Sequence, residues 1–501
     1  MTGHKQQYLR IDINTNTMNN KKINVGIYKG IAMFAVVACI LTVIGLISFK
    51  PAPEATPAPK KFNVLFIATD DCNNDLSIYG HKEMSTPNFE RLAKRGIKFD
   101  RAYCQFPLCN PSRTSILTGL TPDETKIYDL QTSIRETIPG AVTIPQLFRQ
   151  NGYYSARVGK IFHYGVPNDI GTNGLDDSLS WEQRINPLGR DKTEQNKVIN
   201  FTPSRGLGSA LSYLSAEGTD EEQTDGKVAT EAIKLMKENR DKPFFLAVGF
   251  FRPHTPYVAP KKYFDLYPVD KINLPNEPSN DLDDIPEAAF FTKPANWGLS
   301  EIQLKEAIRG YHAAISFMDA QVGRLLDGLD ELKLSDNTII VLWSDHGYNL
   351  GQHGQWMKQS LFENSARVPL IISVPGGLKG KTSERIVELL DLYPTLADLC
   401  NLNLAQRVSG VSLKPLLKNP GAAWGRPGLT QVTRGKIMGR SIRTERWRYT
   451  EWDQGKAGVE LYDELNDKGE ITNLATDPKF ASTVKELATL LRKGHDAANT
   501  K

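Results

Sequence analysis

The sequence contains little cysteine and little net charge. Five cysteines in 501 residues are too few for a dense disulfide framework, so the small disulfide-stapled class of secreted proteins is excluded. Basic and acidic side chains nearly balance, at a formal net charge of +4, and the lysines and arginines are spread along the chain. This distribution gives no basic patch for nucleic acid. We therefore expect no nucleic-acid partner and expect small-molecule ligands.

Long apolar runs are also scarce. Residues 30–49 form an uncharged apolar run of the length that a transmembrane helix needs. We predict a transmembrane helix or signal anchor at 28–49, preceded by a polar tail at 1–27 and followed by a Pro/Ala linker at 50–60. The alternatives are a cleaved signal peptide and a lipoprotein signal ending at Cys39. The prediction places the following domain outside the cytoplasm, anchored in the periplasm or at the cell surface, or secreted if the signal is cleaved.

Short apolar segments alternate with helical patterns after residue 61, which predicts an α/β domain with a large, mostly parallel sheet at 61–401. Residues 402–501 predict a smaller subdomain with an antiparallel sheet and a closing helix. Two insertions rich in Gly, Pro and Asn, at 165–215 and 261–298, are typical of the walls or lids of a site. In the main domain, strands are predicted at 62–68, 153–158, 244–250 and 338–343, and helices at 87–95, 143–150, 224–239 and 300–332, the last with a break at Gly310.

Side chains that bind metals or transfer protons follow each of these four strands. In chain order they are Asp70 and Asp71, Lys160 and His163, His254, and Asp345 and His346. The carboxyl ends of parallel strands meet at one edge of a sheet, where ligands bind. The sequence therefore predicts one site at that edge, although any one of these residues alone is more often an exposed loop residue.

Cys109 lies where a loop meets a predicted helix. Pro111 and Ser112 suit the first turn of a helix, whose free N–H groups favour an anion and lower the pKa of a thiol. Arg113 adds a cation whose planar fork suits a tetrahedral oxyanion. The commoner fate of a free cysteine is a small buried apolar side chain, but this setting indicates a reactive thiol beside an anion-binding cradle.

The segments 109–113 (CNPSR) and 117–119 (LTG) resemble the C-x-P-S-R…L-T-G signature of type I sulfatases. The segment 345–347 (DHG) is similar to the iduronate-2-sulfatase-like and choline-sulfatase-like branch, and the likeness extends from residue 62 to about residue 495. The resemblance implies the alkaline-phosphatase-like sulfatase fold. It also implies that Cys109 is oxidised to formylglycine by a formylglycine-generating or anaerobic sulfatase-maturating enzyme, and that the hydrated aldehyde is the nucleophile.

The same resemblance implies a divalent metal, calcium with magnesium as the alternative. Its implied ligands are Asp70, Asp71, Cys109, Asp345 and His346. Without the resemblance, a helix cap is an equal alternative for the paired aspartates. Imidazole is a softer ligand than calcium prefers, so the identity of the metal stays open.

The implied catalytic residues are Cys109, Arg113, Lys160, His163, His254, Asp345 and Lys358, and the implied substrate-binding residues are Lys160, His254, His353 and Lys358. Asp345 would activate the nucleophile, His254 or Lys358 would protonate the leaving alcohol, and His163 would help to release sulfate. His353 either contacts the substrate or orients its loop.

The implied function is hydrolysis of a sulfate monoester of a sulfated saccharide. Two alternatives stay open. One is a phosphomonoesterase or phosphonate hydrolase that uses the same nucleophile, because a metal and cations around a tetrahedral anion do not by themselves separate sulfate from phosphate. The other is a non-catalytic surface protein that binds sulfoglycans.

Overall fold

Strands and helices alternate along residues 61–499, the part of the chain that the computed structural model describes. The strands are β1 (Asn63–Asp70), β2 (Ile97–Tyr103), β3 (Tyr154–Gly159), β4 (Gln183–Ile185), β5 (Ile199–Asn200), β6 (Ser212–Ala216), β7 (Phe244–Pro253), β8 (Tyr257–Pro260), β9 (Thr338–Ser344), β10 (Asn349–Leu350), β11 (Trp356–Met357), β12 (Arg367–Ser373), β13 (Lys381–Glu388), β14 (Gly428–Arg434), β15 (Ile437–Arg443), β16 (Trp447–Trp452) and β17 (Val459–Asp463). The α-helices are α1 (Pro87–Arg95), α2 (Cys109–Thr118), α3 (Pro122–Thr125), α4 (Ile134–Thr137), α5 (Ile144–Gln150), α6 (Arg190–Thr193), α7 (Thr224–Glu238), α8 (Lys261–Phe264), α9 (Glu301–Glu331), α10 (Glu363–Ala366), α11 (Leu392–Leu399), α12 (Lys414–Lys418) and α13 (Ala481–Asn499).

The predicted tail, anchor and linker at 1–27, 28–49 and 50–60 lie outside the described residues. Within the described range, no helix has both the length and the apolarity that crossing a membrane requires.

The largest sheet has eight strands in the order β13-β2-β12-β9-β1-β7-β3-β4. Its pairings are parallel except those of β12, which runs antiparallel to both β2 and β9. The predicted mostly parallel sheet is therefore confirmed. Every residue of β1, β7 and β9 is buried, which is why these strands are continuous apolar runs in the sequence.

Helices cover both faces of this sheet. Leu65 and Ile67 of β1 pack in one apolar core with residues of α1, α7 and α9, whereas Val64 and Phe66 pack in a second core with residues of α2, α5 and α11. Alternate residues of one strand point to opposite faces, so the central strand joins the two cores.

The long helix α9 corrects one prediction. The sequence predicts a break at Gly310, but the helix continues without interruption from Glu301 to Glu331. A Cβ atom at residue 310 would lie 3.0 Å from the side chain of Tyr213 and 3.3 Å from that of Tyr257. The glycine therefore permits close packing of the helix against two tyrosines and does not end it.

The two insertions and the C-terminal region contain structure of their own. β4 extends the large sheet, and β5 and β6 form a three-stranded sheet with β8. In the C-terminal region, β14 to β17 form an antiparallel sheet in chain order, and α13 follows them, so the predicted small sheet is confirmed. In the described part of the chain, Cys72, Cys104, Cys109 and Cys400 are free thiols.

Candidate active site

Four parallel strands bring the predicted site residues to one edge of the large sheet. β9, β1, β7 and β3 are neighbours in that order and run in the same direction, so their carboxyl ends lie side by side. The residues at or just after these ends are Asp345 and His346 for β9, Asp70 and Asp71 for β1, His254 for β7, and Lys160 and His163 for β3.

Asp71 has a left-handed backbone conformation, with a φ of +66°, which is unfavourable for a residue with a side chain. Its N–H donates to Asp345 Oδ1 at 3.1 Å, and its carbonyl oxygen accepts from the Tyr311 hydroxyl at 2.8 Å. These two hydrogen bonds hold the conformation in which Asp71 Oδ1 lies 3.9 Å from Cys109 Sγ.

Cys109 is the first residue of α2, and every residue of that helix is buried. Its Sγ lies 3.4 Å from His346 Nε2, 3.5 Å from Lys358 Nζ and 3.7 Å from Asp70 Oδ1. Burial opposes ionisation of the thiol, but Lys160 and Lys358 together lower its pKa below the ordinary value. Cys109 therefore lies at the helix N-terminus among metal-ligating and cationic groups, as its sequence context predicts.

Arg113 joins three of the strand ends. Its Nε donates to Asp345 Oδ2 at 2.9 Å, and one terminal nitrogen donates to Asp70 Oδ1 at 3.0 Å. The other terminal nitrogen donates to the carbonyl oxygens of Lys160 and Ile161 at 2.9 Å and 3.0 Å. The side chains of Arg113, Asp70 and Asp345 are completely buried, so this planar fork fixes the relative positions of β1, β9 and β3.

Lysines neutralise the two neighbouring aspartates. Lys160 Nζ lies 2.6 Å from Asp70 Oδ2, and Lys358 Nζ lies 2.7 Å and 2.8 Å from the two oxygens of Asp71. Burial raises the pKa of Asp71 to about 7. Burial acts on Asp70 in the same direction, but Lys160, His254 and Arg113 outweigh it and hold the pKa of that carboxyl well below its ordinary value.

The pKa values of the histidines at the site are shifted in opposite directions. Burial opposes protonation of His346, but Asp345 and Cys109 raise its pKa to about 9. Burial together with Lys160 lowers the pKa of His163 to about 3, and burial together with Lys358 lowers that of His254 well below its ordinary value. His163 and His254 are therefore neutral imidazoles at neutral pH, and their surroundings oppose protonation.

Two overlapping sets of side chains can hold a cation. Ligand atoms of Asp71, Cys109, Asp345 and His346 all lie within 4.8 Å of one another, as do those of Asp70, Asp71 and His254. Each set combines carboxylate oxygens with one imidazole, and the first set also contains the Cys109 sulfur. The carboxylates fit a hard divalent cation such as calcium or magnesium, whereas imidazole and sulfur are softer ligands. The residues present thus fit the metal that the resemblance implies.

A cavity of about 220 Å³ opens onto Cys109, and His163, His254 and Lys358 also line it. Further lining residues are Leu108, Leu130, Gly165, Val166, Arg205, Gly208, Ser209, Phe291, Met357 and Gln359. Arg205 and Phe291 come from the two predicted insertions, so both insertions form walls of the site. The sequence does not predict these individual residues, because neither insertion has a repeating pattern.

His353 lies in a different cluster of side chains. Its Nδ1 is 3.0 Å from Asp281 Oδ2, its backbone N–H donates to both carboxylate oxygens of Glu277 at 2.7 Å and 2.8 Å, and its ring stacks on Phe362 with centroids 4.2 Å apart. None of these contacts reaches Cys109. The geometry favours the alternative in which His353 orients its loop, with Glu277 and Asp281 supplied by the second insertion.

Comparison with known proteins decides the family. Residues 62–402 match the family profile described as "Sulfatase", and residues 351–497 match the one described as "N-sulphoglucosamine sulphohydrolase, C-terminal". The chain belongs to the sulfatase family. It is therefore a sulfuric ester hydrolase, as the segments 109–113 and 117–119 suggest.

Curated sulfatases align over most of their length. The chain is 35% identical over 452 residues to a protein named sulfatase from Formosa agariphila, which covers 86% of this chain and 87% of that protein. It is 33% identical over 482 residues to iduronate 2-sulfatase of Homo sapiens (80% of this chain, 86% of that protein). It is also 33% identical over 442 residues to choline-sulfatase of Rhizobium meliloti (84% and 83%). The predicted branch of the family is confirmed.

Solved structures establish the fold of this sulfatase. A protein in complex with its substrate D-glucosamine-2-N,6-O-disulfate superposes with a TM-score of 0.70 at 24% identity, over 88% of this chain and 98% of that chain. The phosphonate monoester hydrolase of Agrobacterium radiobacter gives a TM-score of 0.73 at 23% identity, over 87% and 96%. The alkaline-phosphatase-like sulfatase fold is confirmed.

Proposed function

We propose that this sulfatase hydrolyses a sulfate monoester of a sulfated saccharide. In this proposal a formylglycine made from Cys109 is the nucleophile, and a divalent metal, calcium or magnesium, is held by Asp70, Asp71, residue 109, Asp345 and His346. The observation that carries the proposal is the position of Cys109, which is buried at a helix N-terminus, lies within 3.7 Å of Asp70, His346 and Lys358, and lines the cavity together with His163, His254 and Lys358.

The substrate class is supported by what similar proteins act on. One relative is named iduronate 2-sulfatase, and one structure with the same fold holds a disulfated glucosamine as its substrate. A sugar-sized cavity lined by cations and imidazoles suits a sulfated saccharide in this chain as well.

In the proposed mechanism, the hydrated aldehyde would supply a hydroxyl nucleophile, and the metal would polarise the sulfate oxygens. Lys358 Nζ, which lies 3.5 Å from Cys109 Sγ, is placed to stabilise the negative charge of the sulfate. Arg113 keeps Asp70 and Asp345 in position through its two ion pairs.

The side chains that line the cavity are the candidates for proton transfer. His254 Nδ1 lies 2.6 Å from the Thr255 carbonyl oxygen, so it carries the proton and leaves Nε2 facing Asp71 at 3.8 Å. His163 also lines the cavity, and its Nδ1 has no hydrogen-bond partner among the described residues. The resemblance implies His254 or Lys358 as the donor to the leaving oxygen. Because His254 Nε2 carries no proton in this arrangement, we infer that Lys358 gives the proton to the leaving oxygen and that His163 accepts a proton during the release of sulfate.

The test combines turnover with mass spectrometry. Full-length protein is produced together with a sulfatase-maturating enzyme, and released sulfate is measured on a panel of sulfated mono- and disaccharides, with aryl phosphate and phosphonate esters as the comparison. We expect sulfate release from at least one saccharide, and a peptide mass at residue 109 in which an aldehyde has replaced the thiol. Full activity of Cys109→Ala, or an intact thiol in the active enzyme, would contradict the nucleophile, and a preference for the phosphate or phosphonate ester would contradict the reaction.

We also propose that the chain is held at a membrane by residues 28–49, with the catalytic domain in the periplasm or at the cell surface. The uncharged run at 30–49 supports this proposal. Fractionation of cells that express the full chain tests it. Recovery with membranes after a high-salt wash is the expected result, and recovery of a shortened protein in the medium would favour secretion after signal cleavage.

A further inference from the structure

Arg205 is a cation at the active-site cavity that has no acidic partner. It lines the cavity together with Cys109 and Lys358. Lys358 is paired with Asp71 at 2.7 Å, whereas no carboxylate of the described residues lies within salt-bridge distance of the Arg205 guanidinium. The contact that the guanidinium makes with a protein oxygen is a hydrogen bond from Nε to the Ser209 carbonyl oxygen at 2.5 Å. Its outer nitrogens are therefore available to an anion in the cavity.

The segment that carries Arg205 is fixed beside the catalytic histidine. The Thr255 hydroxyl donates to the Ala210 carbonyl oxygen at 2.6 Å, and a Cβ atom at Gly208 would lie 2.0 Å from the Val166 carbonyl oxygen and 3.9 Å from His254 Cε1. Such close packing leaves the 205–210 segment little freedom to move away from residues 254 and 255. The position of Arg205 relative to His254 is thus preorganised.

Aromatic rings support the guanidinium. Its central carbon lies 4.7 Å from the ring centroid of Trp297 and 5.9 Å from that of Phe291. These contacts favour the charged side chain and limit its rotamers without consuming its hydrogen-bond donors. Arg205, Phe291 and Trp297 all come from the two insertions. The proposed reacting groups, in contrast, lie mainly at the ends of strands.

We propose that Arg205 forms an anion subsite that binds a second negative group on the sugar that carries the scissile sulfate. The substrate class is then a dianionic sulfated saccharide, in which the second group is a carboxylate or another sulfate. The inference rests on the proposed sulfatase function and adds to it the charge of the substrate. A guanidinium fork makes two parallel hydrogen bonds to either group.

The experiment uses three sugars and three proteins. The sugars are a uronate 2-sulfate, the matched hexose 2-sulfate with a hydroxymethyl group in place of the carboxylate, and the hexose 2,6-disulfate. The proteins are the full-length matured enzyme, its Arg205→Gln variant, and a Lys197→Gln control that removes the same charge from an exposed position in the same insertion. Turnover is measured as kcat/KM, and binding of each sugar is measured by calorimetry in a Cys109→Ala background.

For Arg205→Gln we expect kcat/KM and affinity to fall roughly ten- to a hundredfold on one or both dianionic sugars. On the monoanionic hexose sulfate we expect changes within about twofold, and the Lys197→Gln control should not change the preference. The dianionic sugar that loses more identifies the second group as carboxylate or sulfate.

Two results would overturn the proposal. One is an equal fall in kcat/KM on all three sugars in Arg205→Gln. The other is an equal affinity for monoanionic and dianionic sugars in the protein that keeps Arg205. Absence of turnover on every sulfate ester would overturn the proposed function instead, and the calorimetry would still decide whether Arg205 binds the second anion.

Discussion

At the scale of single residues, Arg113 organises the site without needing to touch the substrate. It is completely buried and pairs with Asp70 at the end of β1 and with Asp345 after β9. These aspartates flank Cys109, so the arginine both neutralises and positions the carboxylates around this residue. Replacing Arg113 should therefore lower both the free energy of unfolding and the rate of turnover.

Replacing Arg113 by methionine is the corresponding prediction. The variant removes the guanidinium from Asp345 and Asp70, of which Asp70 keeps its ion pair with Lys160. We expect the free energy of unfolding to fall by about 3–5 kcal/mol and turnover to be lost. Arg91→Met is the matched control, because Arg91 pairs with Asp327 on the surface, where 38% and 56% of the two side chains are exposed, and such a pair contributes about 0–1 kcal/mol. Urea denaturation and sulfate release measure both effects. Equal destabilisation by the two variants would contradict the assigned role.

At the scale of elements, α2 begins with Cys109 and is terminated by Gly119. Gly119 follows α2 with a φ of +71°, and its N–H donates to the Ser115 carbonyl oxygen at 2.8 Å. A Cβ atom at this position would lie 2.8 Å from Val408 Cγ1. Glycine at this position therefore permits both the left-handed backbone conformation and the close approach of Val408.

We predict that Gly119→Ala destabilises the protein by at least about 1–2 kcal/mol, because alanine is strained in the left-handed region and its methyl group would meet Val408. Val408→Ala in the same chain makes room for the methyl group but leaves the backbone strain. A thermodynamic cycle of the two single variants and the double variant, measured by urea denaturation, should give a favourable coupling. Strict additivity of the two effects would show that the methyl group does not meet Val408.

A second element-scale feature is the contact between His353 and the second insertion. Burial opposes protonation of His353, but Asp281, Glu277 and Glu470 raise its pKa. Because the folded-state pKa lies above the unfolded value of about 6.5, the ion pair stabilises the folded state fully below that pH. The stabilisation is lost as the pH rises through the folded-state pKa.

We therefore predict that His353→Gln destabilises the protein by about 1–3 kcal/mol at about pH 6 and by less at about pH 9. The rate of proteolytic cleavage within 261–298 should rise in the variant, again more at the lower pH. His81→Gln removes a histidine whose side chain is 42% exposed and serves as the control. A pH-independent effect of His353→Gln would exclude a charged histidine at this position.

These elements also show which parts of the fold and of the site can be predicted from the sequence alone. The strands β1, β7 and β9 were predictable because strands buried on both faces are largely apolar. The polar residues at their ends and at the end of β3 were predictable from the geometry of parallel sheets. Lys358 is 249 residues away from Cys109 along the chain, and only the family resemblance connects them. Arg205 and Gly310 depend on packing between distant segments, which leaves no periodic pattern in the sequence.

At the scale of the whole molecule, the C-terminal sheet supports the active site. Phe106 and Leu108, just before Cys109, pack in one apolar cluster with Val432, Trp452 and Tyr462 of that sheet. Arg448 of β16 is also buried, and its guanidinium pairs with Glu363 and Glu470. The approach of the chain to Cys109 is therefore determined partly by residues more than three hundred positions later.

Trp452→Ala should consequently affect both stability and catalysis. Loss of this fully buried ring and of its hydrogen bond to Glu460 is expected to cost about 3–5 kcal/mol and to lower kcat/KM by displacing residues 106–109. Trp447→Ala is the matched control, because Trp447 is only partly buried and packs in a different cluster, against α13. Unfolding by urea and sulfate release distinguish the two variants. A purely local loss of stability, with unchanged kcat/KM in Trp452→Ala, would contradict the coupling.

The central position of β1 has a consequence for the order of events during synthesis. β1 pairs with β7 and β9, and the N–H of Asp71 bonds to Asp345, which is 274 residues further along the chain. As the chain leaves the ribosome, residue 109 emerges long before β9, and the sheet cannot close over it until β9 arrives. In the folded chain only 1% of Cys109 is exposed. We therefore expect an enzyme that modifies this thiol to act on the nascent or unfolded chain, before β9 emerges.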